Sequence, residues 1–343
     1  MLRRALLLFG VGVILAGLGI GLLALQQYRS FQAELHRSFE LDTVEVLELP
    51  RGTSLKTLAS ELQRRGWLEH PHYFEWYVRY REEAGKLKAG EYEVARSETL
   101  ESLLRKLVEG RVLQHQITFI EGWTFKQLRA ALAAHPAVRQ TLGDKSDADV
   151  MTALGLPKEH PEGRFFADTY VFTTGTTDLD LLRRAHVMLK RRLEEVWAER
   201  QSDLPLETPY EALILASIVE KETGQASERP LIAGVFVERL RRGMRLETDP
   251  TVIYGMGERF DGNLRRKDLT TDTPYNTYMR HGLPPTPIAT PGLAALQAAV
   301  NPVVDGSLFF VSKGDGSHYF SKTYREHRRA VVKYQLGGRA GGG

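Results

Sequence analysis

The chain opens with a long apolar segment. Residues 5–25 carry no charge, and a helix of that length, at about 1.5 Å per residue, spans about 30 Å of hydrocarbon. Arg3 and Arg4 precede the segment and Arg29 follows it. A cleaved signal peptide is the alternative, but it needs a shorter apolar core and a small-residue cleavage site, which the residues after Leu25 do not offer. We therefore predict a single retained transmembrane helix over residues 5–25, with residues 1–4 in the cytoplasm.

After this helix the pattern changes to that of a small folded module. Residues 26–43 form a polar juxtamembrane connector. Residues 44–49 and 90–94 alternate between apolar and polar positions as strands do, whereas residues 54–63, 72–83 and 99–109 have helical spacing. The predicted order over residues 44–112 is strand, helix, helix, strand and a further helix. The βααβ order resembles a LysM module, and this resemblance implies contact with glycan.

A weak internal repeat supports a modular organisation. The segment LPRGTSLKTL at 49–58 aligns with FIEGWTFKQL at 119–128, which matches Gly52 with Gly122. Each copy is predicted as a strand, a glycine turn and an amphipathic helix. Since such units often resemble one another, the similarity is also compatible with independent origins.

The second half of the chain is predicted as a larger mixed domain over residues 113–336, followed by a disordered tail at 337–343. Helical spacing occurs at 135–160, 178–200, 208–224, 228–242 and 324–334, and short strands at 308–311 and 318–320. The predicted fold class is therefore α+β: one transmembrane helix, a LysM-like module and a mixed α/β domain.

One predicted helix carries an acidic residue, Glu220, within an otherwise apolar segment. Thr208, Pro209 and Glu211 have the spacing of a capping box with proline in the first turn, and Gly224 is the expected stop. The segment between them is apolar nearly all round, which predicts a buried helix. Glu220 shares a face with Ser217. A carboxyl in such surroundings is expected to have a raised pKa, which suits a general acid, whereas an acid paired to arginine at a frayed end is the alternative.

Composition removes several classes of function. The net charge of +3 is too balanced for a nucleic-acid-binding protein. The chain has no cysteine, which excludes disulfides, thiol catalysis and cysteine metal sites. His318 has no second ligand at metal-binding spacing, so we predict neither a metal nor a cofactor.

Five motifs in a fixed order identify a family. They are ILASIVEKET at 214–223, DPTVIY at 249–254, PYNTY at 274–278, GLPPTPI at 282–288 and GSHYF at 316–320. In this order they resemble the MltG (YceG-like) family of endolytic murein transglycosylases, over nearly the whole chain. Thr286 stands where the family often has glycine or serine, and residues 289–292 read ATPG where Asn-Pro-Gly is common, which puts loop contacts with substrate in doubt.

The resemblance implies a chemistry and a location. In the family the first glutamate of IVEKET is catalytic, which is Glu220 here, and it cleaves the MurNAc–GlcNAc β-1,4 bond to leave 1,6-anhydroMurNAc ends. It further implies nascent peptidoglycan strands as substrate, cell-wall synthases as partners, and an inner (plasma) membrane protein with its catalytic domain periplasmic. Polar and aromatic residues of the motifs are the predicted substrate contacts: Asp249, Thr251, Tyr254, Tyr275, Asn276, Tyr278 and His318.

Several alternatives remain open. Glu222 lies about 200° around the helix from Glu220, so we interpret it as structural and paired to an arginine. Asp249 is a candidate either to orient Glu220 or the substrate, or to cap a turn. A hydrolytic muramidase would need a second carboxylate about 5–10 Å away, which would have to be Asp249 or Asp168. A non-catalytic peptidoglycan-binding scaffold would keep the module and the anchor and tolerate the loss of Glu220.

Overall fold

A computed structural model describes residues 2–337 of the chain. The chain divides into two compact units. Unit 1 comprises Met1–His115 and Phe172–Thr174, and unit 2 comprises Gln116–Val171 and Gly175–Gly343. Each unit has a hydrophobic core of its own.

The chain begins with a single long helix, α1 (Leu2–His36). Its stretch Phe9–His36 is long enough to cross a membrane and contains an 18-residue window with a mean hydropathy of 2.1, and this window is not buried in the protein. The helix continues without a break into the predicted connector. There Phe31 and Leu35, with Phe39 just beyond the helix, are buried in the core of unit 1. The connector is thus largely a helical extension that packs on unit 1.

The predicted strand, helix, helix, strand order of unit 1 is confirmed. Its elements, in chain order, are β1 (Glu45–Leu49), α2 (Leu55–Arg64), α3 (Pro71–Tyr80), β2 (Gly90–Val94) and α4 (Leu100–Glu109). β1 and β2 pair antiparallel, with Leu47 opposite Tyr92, and both side chains are fully buried. α3 ends earlier than predicted, because Glu82 has a φ of 54°, which a right-handed helix cannot contain. The identification of the unit as a LysM module stays a prediction.

The two copies of the internal repeat have the same local structure, a strand followed by a glycine turn and a capped helix. The second copy consists of β3 (His115–Thr118) and α5 (Phe125–Ala134). The turn glycine has a left-handed φ in both copies, 83° at Gly52 and 78° at Gly122, which glycine adopts without steric cost. A hydroxyl side chain then caps each following helix, Ser54 in the first copy and Thr124 in the second. The repeat therefore encodes a turn followed by a capped helix.

Unit 2 is mainly helical. Its further elements, in chain order, are α6 (Asp147–Ala153), β4 (Thr169–Phe172), α7 (Asp178–Ala198), α8 (Pro209–Glu222), α9 (Arg229–Arg241), α10 (Asp249–Met256), α11 (Arg266–Thr270), α12 (Leu293–Val300), β5 (Phe309–Ser312), β6 (His318–Ser321) and α13 (Tyr324–Tyr334). β3 pairs with β4, and β5 pairs with β6, in two separate two-stranded sheets.

α8 lies at the centre of the unit 2 core. It packs against α7, α9, α10 and α12, and its residues 212–219 are all buried, as the apolar pattern predicts. Thr208 caps it by accepting from the Glu211 N–H, but the Glu211 carboxylate accepts from the Glu207 N–H instead of closing the capping box. The helix ends at Glu222, before the predicted stop at Gly224. Glu220 therefore lies in the last turn of a core helix.

The prediction for residues 135–160 is wrong. Only α6 is helical in that segment, and the rest consists of turns and irregular chain. α6 is held by two buried side chains, Val150 and Met151, whereas the polar residues around it have no apolar face to bury. α7, α9, α13, β5 and β6 lie close to their predicted positions. The predicted tail, from residue 338 onward, lies outside the described residues.

Candidate active site

Glu220 is held at a junction between α8 and a loop. Its Oε2 accepts a hydrogen bond from the Gly292 N–H at 3.0 Å, and its Oε1 lies 3.5 Å from Nη2 of Arg229. Only 7% of the Glu220 side chain and 12% of the Arg229 side chain are exposed. The carboxylate is therefore fixed by an amide and a guanidinium, and both contacts stabilise its negative charge.

The predicted face of α8 binds one continuous segment of chain. One turn before Glu220, Ser217 Oγ accepts a hydrogen bond from the Ile288 N–H at 3.0 Å and donates to the Ile214 carbonyl. Since Ile288 and Gly292 belong to the segment between the GLPP motif and α12, Ser217 and Glu220 align this segment along the helix. The shared face of Ser217 and Glu220 thus orients a loop as well as a carboxyl group.

A second carboxyl group, which the sequence analysis missed, lies beside Glu220. The loop before α5 is paired with the same segment: the Gly122 N–H donates to the Thr290 carbonyl at 2.8 Å, and the Thr290 N–H donates to the Trp123 carbonyl at 2.7 Å. This pairing brings the side chain of Glu121 against Gly292, where any Cβ would overlap its carboxyl group. Gly292 has an ordinary φ of −78°, so its backbone conformation does not require glycine, and a Cβ there would displace the flexible end of the Glu121 side chain.

The two carboxyl groups influence each other. Both touch Gly292, so standard bond lengths place their nearest oxygens within about 7 Å of each other. Partial burial raises the pKa of Glu121, the charge of Glu220 raises it further, and Arg229 acts in the opposite direction. Glu121 therefore interacts electrostatically with both Glu220 and Arg229.

One feature of the sequence could have indicated Glu121, although the sequence analysis did not use it. The two copies of the repeat differ immediately before the turn glycine, with Arg51 in the first and Glu121 in the second. An acid at the tip of a tight turn is available to a neighbouring site. The sequence gives no sign, however, that this turn packs along α8, whose Glu220 is distant in the chain.

Two of the predicted contact residues belong to a buried network beside this loop. Glu162 accepts from the Phe125 N–H at 2.9 Å and from the Tyr254 hydroxyl at 3.1 Å. The Tyr254 ring meets Tyr275 edge-on, and the Tyr275 hydroxyl hydrogen-bonds that of Thr286 at 2.9 Å. Burial raises the pKa of Glu162 to about 7, against these hydrogen bonds. The network fixes the start of α5, directly after the Glu121 loop, and gives Thr286 an internal partner.

Three other predicted contact residues line a separate cavity of about 400 Å³. Asp249 accepts from the Tyr278 hydroxyl at 2.7 Å, and His318 Nδ1 lies 2.7 Å from Oε2 of Glu228. Glu222 lines this cavity and Glu220 does not. The structure therefore does not bring Asp249, Tyr278 and His318 together with Glu220.

The structure gives Thr251 and Asn276 internal hydrogen-bond partners, and their contact with substrate stays a prediction. Both are almost fully buried, with 0% and 1% of their surface exposed. Asn276 Nδ2 donates to three backbone carbonyls, and Thr251 Oγ1 donates to the carbonyl of Thr248. Their polar atoms stabilise the loops that the motifs encode.

The environment of Glu222 also differs from the prediction. Within residues 2–337 it forms no ion pair with an arginine; its carboxylate accepts a hydrogen bond from the Thr248 hydroxyl. Burial raises the pKa of Glu222 to about 7, and the charge of Asp249 contributes in the same direction. The described part of the chain contains no cluster of three or more His, Asp or Glu side chains arranged to hold a metal ion.

Comparison with known proteins agrees with the motifs. A protein of Bacillus subtilis (strain 168) named endolytic murein transglycosylase is 32% identical over 307 residues, which cover 84% of each chain. One of the same name from Streptococcus pneumoniae (serotype 2, strain D39) is 28% identical over 319 residues, covering 83% of this chain and 57% of its own length.

A solved structure and a family sequence pattern agree with these relatives. The crystal structure of a yceG-like protein from Listeria monocytogenes matches with a TM-score of 0.52 at 28% identity, covering 84% of this chain and 99% of that one. The sequence pattern of the YceG-like family matches residues 47–333. The family resemblance seen in the motifs is confirmed: the chain belongs to the YceG-like family.

Proposed function

We propose that this chain is an endolytic murein transglycosylase and that Glu220 is its catalytic acid and base. The observation that carries the proposal is the position of Glu220, fixed between Gly292 and Arg229 at the end of a buried helix. The names of the curated relatives from Bacillus subtilis and Streptococcus pneumoniae support the substrate class.

The proposed reaction cleaves the β-1,4 bond between MurNAc and GlcNAc within a glycan strand. Glu220 donates its proton to the glycosidic oxygen as the bond to C1 of the muramyl residue breaks. The 6-hydroxyl of the same muramyl residue then attacks C1, and the Glu220 carboxylate accepts the hydroxyl proton. The products are a GlcNAc end and a 1,6-anhydroMurNAc end, with no net uptake of water. One carboxyl group suffices because the nucleophile is part of the substrate.

Glu121 is proposed to act through Glu220 as a positioning residue. Its carboxyl group lies beside Gly292, whose N–H donates to Glu220. Partial burial and the charge of Glu220 raise the pKa of Glu121, which ties its proton binding to the site.

A hydrolytic muramidase is the second candidate, and one specific observation favours it. Asp249 lines the separate cavity, and the Asp168 carboxylate accepts from the adjacent Thr169 N–H. Glu121, by contrast, lies within about 7 Å of Glu220, inside the range that paired glycosidase carboxylates span. In a hydrolase Glu121 would activate water. A non-catalytic scaffold is the third candidate.

Analysis of the reaction products separates the three candidates. The full-length chain in detergent is incubated with uncrosslinked glycan strands and the fragments are weighed. A transglycosylase yields anhydro ends with the wild-type chain and none with Glu220→Gln. Reducing ends heavier by about 18 Da, one water, would establish hydrolysis instead. Absence of any cleavage would leave the scaffold.

Glu222→Gln is the matched control for this experiment. It changes the same helix in the same way, two residues further on, and faces the other cavity. It is expected to retain the wild-type products.

The location is part of the proposal. The apolar stretch of α1 would cross the inner (plasma) membrane once, with residues 1–4 cytoplasmic because Arg3 and Arg4 precede the span. Both units would then face the periplasm, where peptidoglycan strands and cell-wall synthases are the expected partners. Protease added to intact spheroplasts should digest both units; protection of the units would contradict this orientation.

A further inference from the structure

Two large aromatic rings lie on the outside of unit 1. Trp76 and Tyr80 are one turn apart on α3, with 57% and 73% of their surfaces exposed. Their rings stack on each other, with centroids 5.2 Å apart and planes 12° from parallel. Single exposed aromatics are common on protein surfaces, whereas these two rings stack into one continuous apolar area with a polar group on each ring. We call Trp76 and Tyr80 the aromatic surface.

The aromatic surface is joined directly to α1. The ring of Phe31 contacts Tyr73 and Trp76, at centroid distances of 5.8 and 5.6 Å and nearly perpendicular planes. The Tyr73 hydroxyl donates to the Gln27 side chain, one turn closer to the apolar end of α1. The rings therefore belong to the same compact unit as the membrane-spanning candidate and are in contact with it through Phe31.

The direction of α3 carries the aromatic surface toward the apolar stretch of α1. Glu34 accepts from the N–H groups of Glu69 and His70, at the start of α3. Phe31, one turn back along α1, contacts Trp76, which is further along α3. Between Glu34 and Phe31 the contacts on α3 thus advance from residues 69–70 to residues 73–77, while the side chain of Gln27 is bonded to Tyr73 within this range. Tyr80, one turn beyond Trp76, continues in this direction.

The height of the aromatic surface matches the membrane interface. Phe31 lies six residues after Leu25, or about 9 Å along the helix axis from the end of the apolar run. The polar headgroup layer adds about 5–8 Å to the hydrocarbon on each side. Since α3 runs back from Phe31, the two rings fall at the level of this layer. Tryptophan and tyrosine are the residues enriched there, because they combine an apolar ring with a polar group.

We propose that the aromatic surface of α3 docks onto the interface of the outer leaflet of the membrane that holds α1. Unit 1 then rests against the bilayer on Trp76 and Tyr80, in addition to being tethered to it. The inference rests on the membrane insertion of α1 that is part of the proposed function.

Fluorescence quenching tests the contact in the full-length chain. The protein is placed in nanodiscs of phospholipids, with or without bromine on the acyl chains close to the headgroup, which quenches only tryptophans that reach the lipid. The chain has four tryptophans. Brominated lipid is expected to quench part of the emission of the wild-type chain, and Trp76→Phe is expected to lose this quenching. The matched control Trp197→Phe, in α7 of unit 2, is expected to keep it.

The possible outcomes distinguish failure of the membrane anchor α1 from failure of the proposed docking of the aromatic surface. Extraction of the chain from membranes by alkaline carbonate would overturn both the anchor and this inference. A chain that resists extraction, but whose lipid quenching is the same in Trp76→Phe as in the wild type, would overturn the inference alone. Quenching of Trp76 by aqueous iodide in the nanodisc, relieved by added glycan strands, would instead identify a glycan-binding surface and also overturn it.

Discussion

The last turn of α8 carries two glutamates, two residues apart, with opposite surroundings. Glu220 meets a backbone amide, an arginine and a second carboxyl group at a junction of loops. Glu222 is buried beside Thr248, in a cavity that Glu220 does not line. Burial raises the pKa of Glu222 to about 7, the value expected of a general acid, yet the loops converge on Glu220. A shifted pKa alone therefore does not identify the acid; the segments packed against the carboxyl group have to be considered as well.

The largest expected effect is the difference in activity between variants of these two glutamates. Glu220→Gln removes the only group proposed to transfer protons, so the rate of formation of anhydro ends should fall by about 10²–10⁴-fold. Glu222→Gln should change it by less than about 3-fold, within the range of indirect effects. Rates are measured by chromatography of the cleaved strands. A larger loss in Glu222→Gln, at an unchanged melting temperature, would reverse the assignment.

The second prediction concerns stability, to which Glu222 and Glu162 should contribute in the same pH range. In the unfolded chain the Glu222 carboxyl ionises near pH 4.5, whereas in the native state it keeps its proton up to about pH 7. Its contribution is complete below pH 4.5 and is lost as the pH rises to about 7, by at most about 3 kcal/mol. Urea denaturation between pH 4 and 8 measures the decline. Glu222→Gln should reduce it and leave the part that Glu162 contributes, whereas Glu199→Gln, at an exposed position after α7, should preserve it in full.

The third prediction tests whether activity depends on how the loops around Glu220 position Glu121. Gly292→Ala places a methyl group where the Glu121 carboxyl lies, so that side chain must move, while the Gly292 amide bond to Glu220 can persist. We expect activity to fall by about 10–100-fold with little loss of stability. Gly143→Ala is the control, since a Cβ there meets no atom within 4 Å. Full activity in Gly292→Ala would show that the position of Glu121 does not matter.

The smallest expected effect is a change in pH dependence. Partial burial and the charge of Glu220 raise the pKa of Glu121, so this carboxyl group binds a proton more readily than a free glutamate does. Glu121→Gln removes this titrating group, so the pH–activity profile should change in shape. Glu222→Gln should leave the contribution of Glu121 to the profile in place. A uniform loss of activity without such a change would give Glu121 a purely structural role.

The fold of unit 1 and the place of α8 could be predicted because local patterns determine them. Hydroxyl caps and alternating apolar positions mark β1, α2, β2 and α4 at nearly their observed ends. A capped segment of about fourteen residues that is apolar nearly all round is typical of a buried core helix. The segment 135–160 failed because helical spacing of polar residues does not by itself stabilise a helix.

The partners of Glu220 could not be predicted in the same way. Glu121 reaches it only through hydrogen bonds between a turn and the segment at Thr290, and such pairings between distant segments leave no local pattern. Asn276 and Thr251 illustrate the reverse problem. A polar side chain in a proline-rich loop looks the same in sequence whether it binds a ligand or the loop's own carbonyl groups.

The uninterrupted α1 has a mechanical consequence. In the proposed membrane orientation, α1 would pass from the bilayer into the core of unit 1, through Phe31 and Leu35, as one helix without a break. A helix tilts when its apolar length exceeds the thickness of the hydrocarbon. A change of tilt would then rotate the part of unit 1 that packs on α1. The thickness of the bilayer would thereby influence how this unit is presented to its substrate.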